Sequence, residues 1–186
     1  MIEAAREGWS DLHPFDQLKE IERLSLGADA LDSRGGSSIP VFTGLAFRLG
    51  SARLVASMNE VDEVLRVPRF TRVPGAQSWV RGVANLRGSI VSVIDLAVFL
   101  GEPSVKEGPN ARIIIVNGGG VPSGLLVHEL VGMRHFYADQ ADSQPTMLGE
   151  RIGRYLTGAY RIDGTVWSVM SIPQLLADPR FAGASG

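Results

Sequence analysis

Residues 82–101 read GVANLRGSIVSVIDLAVFLG, and this stretch contains the signals that decide the fold. The short apolar, β-branched run at 90–94 predicts a buried strand. Asp95 follows it at a position that suits a helix N-cap, and residues 96–100 provide one or two helical turns. Gly101 then stands where a left-handed residue ends such a helix. The stretch therefore predicts a strand followed by a short capped helix.

A polar turn precedes this strand. Gly82 and Gly88 bracket the pair Asn85 and Arg87, so the predicted local order is strand, sharp turn, strand. A turn held between two strands presents an arginine in a fixed direction. Because arginine keeps its charge and cannot shuttle protons, Arg87 suits recognition better than catalysis.

The same stretch resembles the signature of the CheW family of chemosensory coupling proteins. The resemblance is carried by Gly-Val-Ala-Asn-Leu-Arg-Gly at 82–88, then by Ile90, then by Asp95 and Leu96. Ser92 stands where the family usually has proline, which is a mild departure because serine tolerates extended backbone. The likeness runs along residues 43–177.

Two further motifs resemble one branch of that family. They are Trp-Val-Arg at 79–81 and Gly-Met-Arg-His-Phe at 132–136. Both are similar to the PilI-like coupling proteins, which serve type IV pilus (twitching) chemosensory systems. The resemblance implies a mainly β fold of two SH3-like barrels with a groove between them. It also implies a non-enzymatic adaptor without cofactors, whose partners are a methyl-accepting chemoreceptor tip and the regulatory domain of a CheA-type histidine kinase.

The resemblance also implies where a receptor binds. The spacing from Val61 to Arg87 matches the family pattern without a gap, so Val61 and Glu63 fall on receptor-contact positions. With Asn85, Arg87 and Gly88 they form the candidate receptor-binding set. We expect Glu63 and Arg87 to lie near each other at the groove. The face that binds the kinase stays open.

Composition limits the alternatives. The 186 residues are 45% hydrophobic, carry a net charge of −2 and include no cysteine. Disulfides, cysteine nucleophiles and cysteine-ligated zinc are therefore excluded. The start of the chain is too polar for a signal peptide, and no apolar run approaches the ~18 residues of a membrane span. We expect a soluble cytoplasmic protein that is recruited to membrane receptor arrays without inserting into the membrane.

The first 42 residues differ from the rest. They contain eight acids and four bases, and the spacing at 15–26 predicts a short amphipathic helix. Residues 27–40 are rich in glycine, serine and aspartate, which is typical of a flexible linker. The helix either docks on its own domain or serves as a partner-binding handle. We expect an extension at 1–42, the CheW-like domain at 43–178 and a tail at 179–186.

From residue 43 the pattern becomes that of a β protein. Asp163 and Gly164 are a strong hairpin signal, and Ser171 caps a predicted helix at 173–177. The segment 59–65 is ambiguous between strand and helix. Strands are predicted at 43–49, 53–58, 70–73, 112–117, 124–127, 131–136, 156–162 and 166–170. Many short strands with glycine turns favour small barrels or a sandwich.

No catalytic constellation is predicted. His128-Glu129 opens like a zinc-protease motif, but Gly132 stands where the second histidine is needed. His128 and His135 lie seven residues apart in a predicted strand, which sends them to opposite faces. The glycines at 118–120 lack the lysine and the helix of a phosphate-binding loop, so a hairpin is favoured. We expect no enzyme activity and no metal.

Five arginines and no acid lie between Val64 and Ile94: Arg66, Arg69, Arg72, Arg81 and Arg87. Three roles are open for these arginines. They form a solvated rim without a partner, they bind an acidic protein partner, or they bind nucleic acid whose bases stack on Phe70 or Trp79. Because the net charge is negative and the arginines are spread through turns and strands, nucleic acid ranks last among the three. A small nucleic-acid-binding barrel that uses the run from Arg66 to Arg87 is kept as the alternative to the adaptor.

Large apolar residues carry two further expectations. Trp79 and Trp167 are expected in the core because tryptophan buries a large area. A flat apolar patch including Val93, Val98 or Leu100 is a candidate kinase-docking face.

Overall fold

The computed structural model describes residues 40–118, 122–142 and 150–182. The chain divides into two compact units, Met1–Pro40 and Val41–Gly186, and the elements described here lie in the second. The helix predicted at 15–26 and almost all of the predicted linker lie outside the described residues.

Strands dominate the described chain. In chain order they are β1 Phe42–Leu49, β2 Ala52–Ser57, β3 Glu63–Arg66, β4 Val80–Leu86, β5 Ser89–Asp95, β6 Arg112–Asn117, β7 Pro122–Val127, β8 Glu129–Phe136, β9 Ala141–Asp142, β10 Leu156–Ile162 and β11 Thr165–Met170. The α-helices are α1 Leu96–Phe99, α2 Glu150–Gly153, α3 Ile172–Leu176 and α4 Pro179–Ala182, with 3-10 turns at Met58–Glu60 and Ala138–Gln140. Except at 70–73, the predicted strands are present to within two residues at each end.

The strands form two sheets. One has the order β8-β1-β2-β11-β10-β9, and the other has the order β3-β6-β7-β5-β4. All neighbours are antiparallel except the parallel pairs β2–β11 and β5–β7. The first sheet joins strands from both ends of the described chain, and the second comes from its middle. These sheets are the two small SH3-like subdomains that the family resemblance implies.

The strand predicted at 70–73 is reduced to one bridge. Thr71 and Val83 exchange two backbone hydrogen bonds of 2.8 Å, but no strand forms around Thr71. Pro68 and Pro74 flank this segment, and neither can donate to a ladder. Gly82 permits the close approach, because a Cβ there would lie 2.2 Å from the carbonyl oxygen of Thr71.

The two predicted helix caps are present. Asp95 accepts a hydrogen bond of 3.2 Å from the Val98 amide, and Gly101 has a positive φ of 88° after α1. Ser171 caps α3 by accepting from the Gln174 amide at 3.3 Å. Beyond α3, helix α4 places Phe181 in the core at 2% exposure. The packed chain therefore extends past the boundary expected at residue 178.

A single large core joins the two sheets. Leu45 and Phe47 of β1 share it with Val91 of β5 and Ile113 of β6. A smaller cluster of Ala46, Val55, Phe136 and Trp167 packs on the other face of the six-stranded sheet. The tryptophan predictions hold, because Trp167 is buried and the half-buried Trp79 packs edge-on against Phe99 at 5.6 Å.

The predicted apolar docking patch does not form as expected. Val93 and Leu100 are both buried in the main core, and Val98 is half-buried. The reason is that β5 and α1 both pack onto the core, which leaves no flat apolar face over these residues.

Candidate functional site

The β4–β5 hairpin holds Arg87 in a tight turn. Leu86 pairs with Ser89, so Arg87 and Gly88 form a two-residue loop, with positive φ values of 51° and 90°. Two positive values are typical of a type I′ turn, whose twist matches that of the strands. The Oδ1 atom of Asn85 accepts a hydrogen bond of 2.9 Å from the Gly88 amide, which braces the loop.

The predicted proximity of Glu63 and Arg87 is confirmed. Arg87 Nη2 donates to Glu63 Oε1 at 2.8 Å, while the two side chains remain 68% and 33% exposed. Glu63 lies on β3 and Arg87 follows β4, which are the two edge strands of the five-stranded sheet. Their contact therefore requires the sheet to curl into a barrel, with the ion pair across the closure.

Val61 belongs to the predicted receptor-binding set, but its side chain is buried and is not part of the exposed surface. It is only 5% exposed and packs in the main core, so its side chain anchors the turn before Glu63. The neighbouring Asp62 amide donates to the Ile115 carbonyl at 2.9 Å, which fixes β3 on β6. The segment 59–65, which is ambiguous from sequence, thus contains the end of a 3-10 turn followed by β3.

Ile90 is a site residue that the sequence pattern does not reveal. The run at 90–94 is predicted to be buried throughout, but Ile90 is 61% exposed beside the Arg87 turn. Its partner across the hairpin is the exposed Asn85. The sequence signal that could have indicated this exposure is the polar Asn85, which pairs with the first residue of the run.

A cleft of about 440 Å³ is lined in part by residues that immediately precede Glu63 in the sequence. It is lined by the 3-10 turn through Glu60, by Asp62, by the end of β6 and by Pro173 and Leu176 of α3. Glu60 Oε2 accepts from the Ile172 amide at 3.1 Å, so the cleft bridges segments that lead into different sheets. Its lining combines carboxylates and amides with an apolar wall.

Not all five arginines of the run at 66–87 contribute to an open basic surface. Arg81 donates to Asp95 at 3.3 Å, to Ser104 at 3.1 Å and to Glu107 at 2.6 Å, and its side chain is only 22% exposed. Arg81 is therefore a structural residue. Arg66, Arg69 and Arg72 are all exposed.

The two aromatic residues of the nucleic-acid alternative both make contacts within the fold. Phe70 lies beneath the guanidinium of Arg81, which is 5.7 Å from its ring centre. The rings of Trp79 and Phe99 are nearly perpendicular, with their centres 5.6 Å apart. Both rings are half-buried and pack against the main core, whereas a base-stacking platform needs an open ring face.

Asp95 does more than cap a helix. It is fully buried and accepts hydrogen bonds from the Val98 and Val105 amides, from Ser104 Oγ at 2.6 Å and from Arg81. A buried carboxylate is tolerated when it is paired and hydrogen-bonded in this way. Asp95 thus ties the hairpin of Arg87 to the loop after α1.

The histidines make local contacts. The Gly50 amide donates to His128 Nδ1 at 3.1 Å, and Thr43 Oγ1 lies 2.9 Å from His135 Nδ1. Within residues 40–118, 122–142 and 150–182, no three histidine or carboxylate side chains are grouped so that they could hold a metal ion. The glycine turn at 118–120 lies only partly within the described chain, with Gly118 in the wall of the cleft.

The helices of the described ranges are all short. None of them combines the length and the apolar character that crossing a membrane needs.

Known proteins resemble this chain along most of its length. It is 35% identical to the protein PilI of Pseudomonas aeruginosa over 168 residues, covering 88% of this chain and 91% of PilI. It is 31% identical to the protein FrzA of Myxococcus xanthus, covering 63% and 73% of the two chains. It is 28% identical to the chemotaxis protein CheW of Klebsiella aerogenes, covering 74% and 83%.

The fold has a solved counterpart. The crystal structure of the scaffolding protein CheW from Thermoanaerobacter tengcongensis matches 76% of this chain and 96% of its own, with a TM-score of 0.65 at 22% sequence identity. The family model described as the CheW-like domain matches residues 43–180. The chain therefore belongs to the CheW-like domain family.

Proposed function

We propose that this chain is a non-enzymatic chemosensory adaptor. It couples methyl-accepting chemoreceptors to a CheA-type histidine kinase, and its output is type IV pilus (twitching) motility. The family match over residues 43–180 and the similarity to PilI along 88% of the chain support this function. In this proposal the adaptor is cytoplasmic and joins receptor arrays through its partners.

We define the Arg87 surface as Glu63, Asn85, Arg87, Gly88 and Ile90, and we propose that it binds the receptor tip. The surface offers a charged fork, a carboxylate and one exposed apolar side chain on a braced turn. An amphipathic helical hairpin presents the complementary mixture of apolar and charged groups. The cleft beside Asp62 would extend this contact toward α3.

The physical mechanism is scaffolding by rigid surfaces. Because the hairpin and β3 are fixed by the sheet, a small displacement of a bound receptor tip moves the whole subdomain with it. A kinase held on a second face would experience that movement as a change in contact geometry. Each contact can be weak, since assembly into an array is multivalent.

The observation that carries the proposal is the ion pair of Arg87 and Glu63 on a positive-φ turn. An exposed pair contributes only ~0.2–1 kcal/mol to stability. An arginine is disfavoured at positive φ, which costs roughly 1–2 kcal/mol. An arginine at this position therefore adds little to the stability of the fold, and a role in binding explains its presence there.

The test is titration of a purified receptor cytoplasmic fragment with the full chain carrying Arg87→Glu. We expect affinity to fall at least about tenfold, because two carboxylates then face the receptor where a guanidinium stood. Arg72→Glu, an equally charged change at an exposed position of the same half of the chain, is the matched control. Unchanged affinity of a folded Arg87→Glu protein would remove the proposal.

A further inference from the structure

A second concave site lies on the six-stranded sheet. Its volume is about 340 Å³, and its charged lining consists of Arg48, Arg53, Arg134, Glu129 and Asp163. These residues belong to β1, β2, β8 and the β10–β11 turn, whereas the Arg87 surface belongs to the five-stranded sheet. We call them, together with Trp167, the triple-arginine site.

Two of the arginines face each other across a hairpin. Arg48 and Arg53 are direct partners in the β1–β2 register, and like charges in that relation are destabilising. Arg48 is compensated by Glu129, whose Oε2 lies 3.0 Å from Arg48 Nη1. In the described part of the chain no carboxylate pairs with Arg53. Among the described residues, the exposed charge of Arg53 is thus held beside that of Arg48 without a counterion of its own.

The third arginine is held by an aromatic ring. The guanidinium of Arg134 lies 4.9 Å from the ring centre of Trp167, which is buried in the smaller core cluster. A buried ring is a rigid platform, and stacking leaves the edge of the guanidinium free to donate hydrogen bonds. No carboxylate among the described residues pairs with Arg134. The stack therefore fixes a charged fork at the site before any ligand arrives.

The balance of charge selects the ligand. Three arginines against Glu129 and Asp163 leave a net charge of +1 in the lining. One carboxylate neutralises that charge, whereas a phosphate group of about −2 overcompensates it and meets the two acidic side chains. Val131 and Ile162 add apolar surface to the same lining, and Val131 is exposed. The site fits a single acidic side chain with an apolar neighbour.

We propose that the triple-arginine site binds an acidic peptide segment of a partner protein. One aspartate or glutamate of that segment pairs with Arg53 and Arg134, and an adjacent apolar side chain packs on Val131 and Ile162. The geometry of this site does not involve the Arg87 surface, so the proposal stands whether or not that surface binds a receptor.

The test uses an array of random heptapeptides probed with the full chain. We expect enrichment of peptides in which Asp or Glu stands beside an apolar residue. For the enriched peptides, Glu→Gln should weaken binding about tenfold or more in solution, as loss of a charge-assisted contact predicts. A matched set with phosphoserine in place of glutamate should bind less well than the glutamate peptides.

Two variants locate the binding. Arg53→Gln removes one of two opposed charges on an exposed strand position, so it should fold at least as well as the parent and still lose the acidic preference. Arg134→Gln should lose it too, and Arg72→Gln, which lies outside the triple-arginine site, should keep it. Absence of acidic enrichment, preference for phosphoserine, or a preference that survives in a folded Arg53→Gln protein would each overturn the proposal.

Discussion

At the scale of single residues, Arg87 shows how a local conformational cost marks a functional position. Type I′ turns favour Asn-Gly, and this chain has Arg-Gly with φ of 51° at the arginine. The braces that hold the turn are the Asn85 side chain and the ion pair with Glu63. The Asn85 brace is local and the exposed ion pair contributes only ~0.2–1 kcal/mol, so the surrounding fold depends little on the arginine.

A substitution at this position separates stability from binding. Arg87→Asn creates the favoured Asn-Gly turn, and asparagine tolerates positive φ, so we expect stabilisation of up to ~1 kcal/mol after loss of the ion pair. Receptor affinity should fall in the same protein, since the guanidinium is gone. Thermal unfolding together with receptor titration measures both effects. A lower melting temperature would show that the ion pair outweighs the turn.

Asp178 illustrates a titratable residue with a structural role. Its carboxylate accepts from Tyr155 Oη at 2.5 Å and from Arg180 Nη2 at 2.9 Å. Hydrogen bonds from Arg180 hold the pKa of Asp178 well below its usual range, despite partial desolvation. Burial, with the nearby Asp178, raises the pKa of Tyr155. The cluster joins the turn after α2 to the turn between α3 and α4.

We therefore expect a pH-dependent effect of Asp178→Asn. A carboxyl group with a lowered pKa in the folded state stabilises the fold above its ordinary pKa of about 4, and loses that contribution as pH falls. The variant should be less stable than the parent by ~1–2 kcal/mol at pH 7. The gap should narrow below pH 4. Urea unfolding of the parent and the variant at pH 7 and below pH 4 measures this difference in stability. A difference that widens in acid would contradict the lowered pKa of Asp178.

At the scale of elements, one close backbone approach adds an irregular segment to the edge strand β4. The Thr71–Val83 bridge brings an otherwise irregular segment against β4, and it forms only because residue 82 has no Cβ. Glycine at this place is thus required by packing as well as by its φ of 149°. Pro68 and Pro74 prevent the segment from becoming a regular edge strand.

The prediction at this scale compares two glycines with positive φ. Gly82→Ala puts a Cβ 2.2 Å from a carbonyl oxygen and should cost more than ~2 kcal/mol. Gly164→Ala, with φ of 73° and no atom within 4 Å of the place that its methyl group would occupy, should cost only the turn strain of ~1 kcal/mol. Urea unfolding of the two variants decides the point, and equal losses would mean that the contact with Thr71 relaxes freely.

Local signals explain which elements can be predicted from the sequence. Asp95 and Ser171 are recognisable as caps, and Asp163-Gly164 as a hairpin, because each signal acts within a few residues. The exposure of Ile90 escapes prediction because it depends on where the sheet curls. The structural role of Arg81 also escapes prediction, because its acidic partners lie 14 and 26 residues further along the chain.

At the scale of the whole molecule, the division into two sheets does not create two independent units. The six-stranded sheet contains strands from before and after the five-stranded sheet, and residues of both sheets share the main core. Periodicity alone favours small barrels, and the family resemblance supplies their number. The common core cannot be predicted, since no local pattern says which faces meet.

The shared core predicts that both subdomains unfold together. Trp79 reports on the five-stranded sheet beside Phe99, and Trp167 reports on the six-stranded sheet. In a Trp9→Phe background, the single-tryptophan proteins made by Trp79→Phe and Trp167→Phe each carry one of these reporters. The substitutions themselves alter stability, so each fluorescence transition in urea is compared with circular dichroism of the same protein.

We expect the fluorescence and circular dichroism transitions to coincide within each protein, because exposing Leu45 or Phe47 on one sheet also uncovers Val91 and Ile113 on the other. A fluorescence midpoint that precedes the loss of strand signal in one protein would show that its subdomain opens alone, and the adaptor would then transmit receptor movement through a hinge between two bodies.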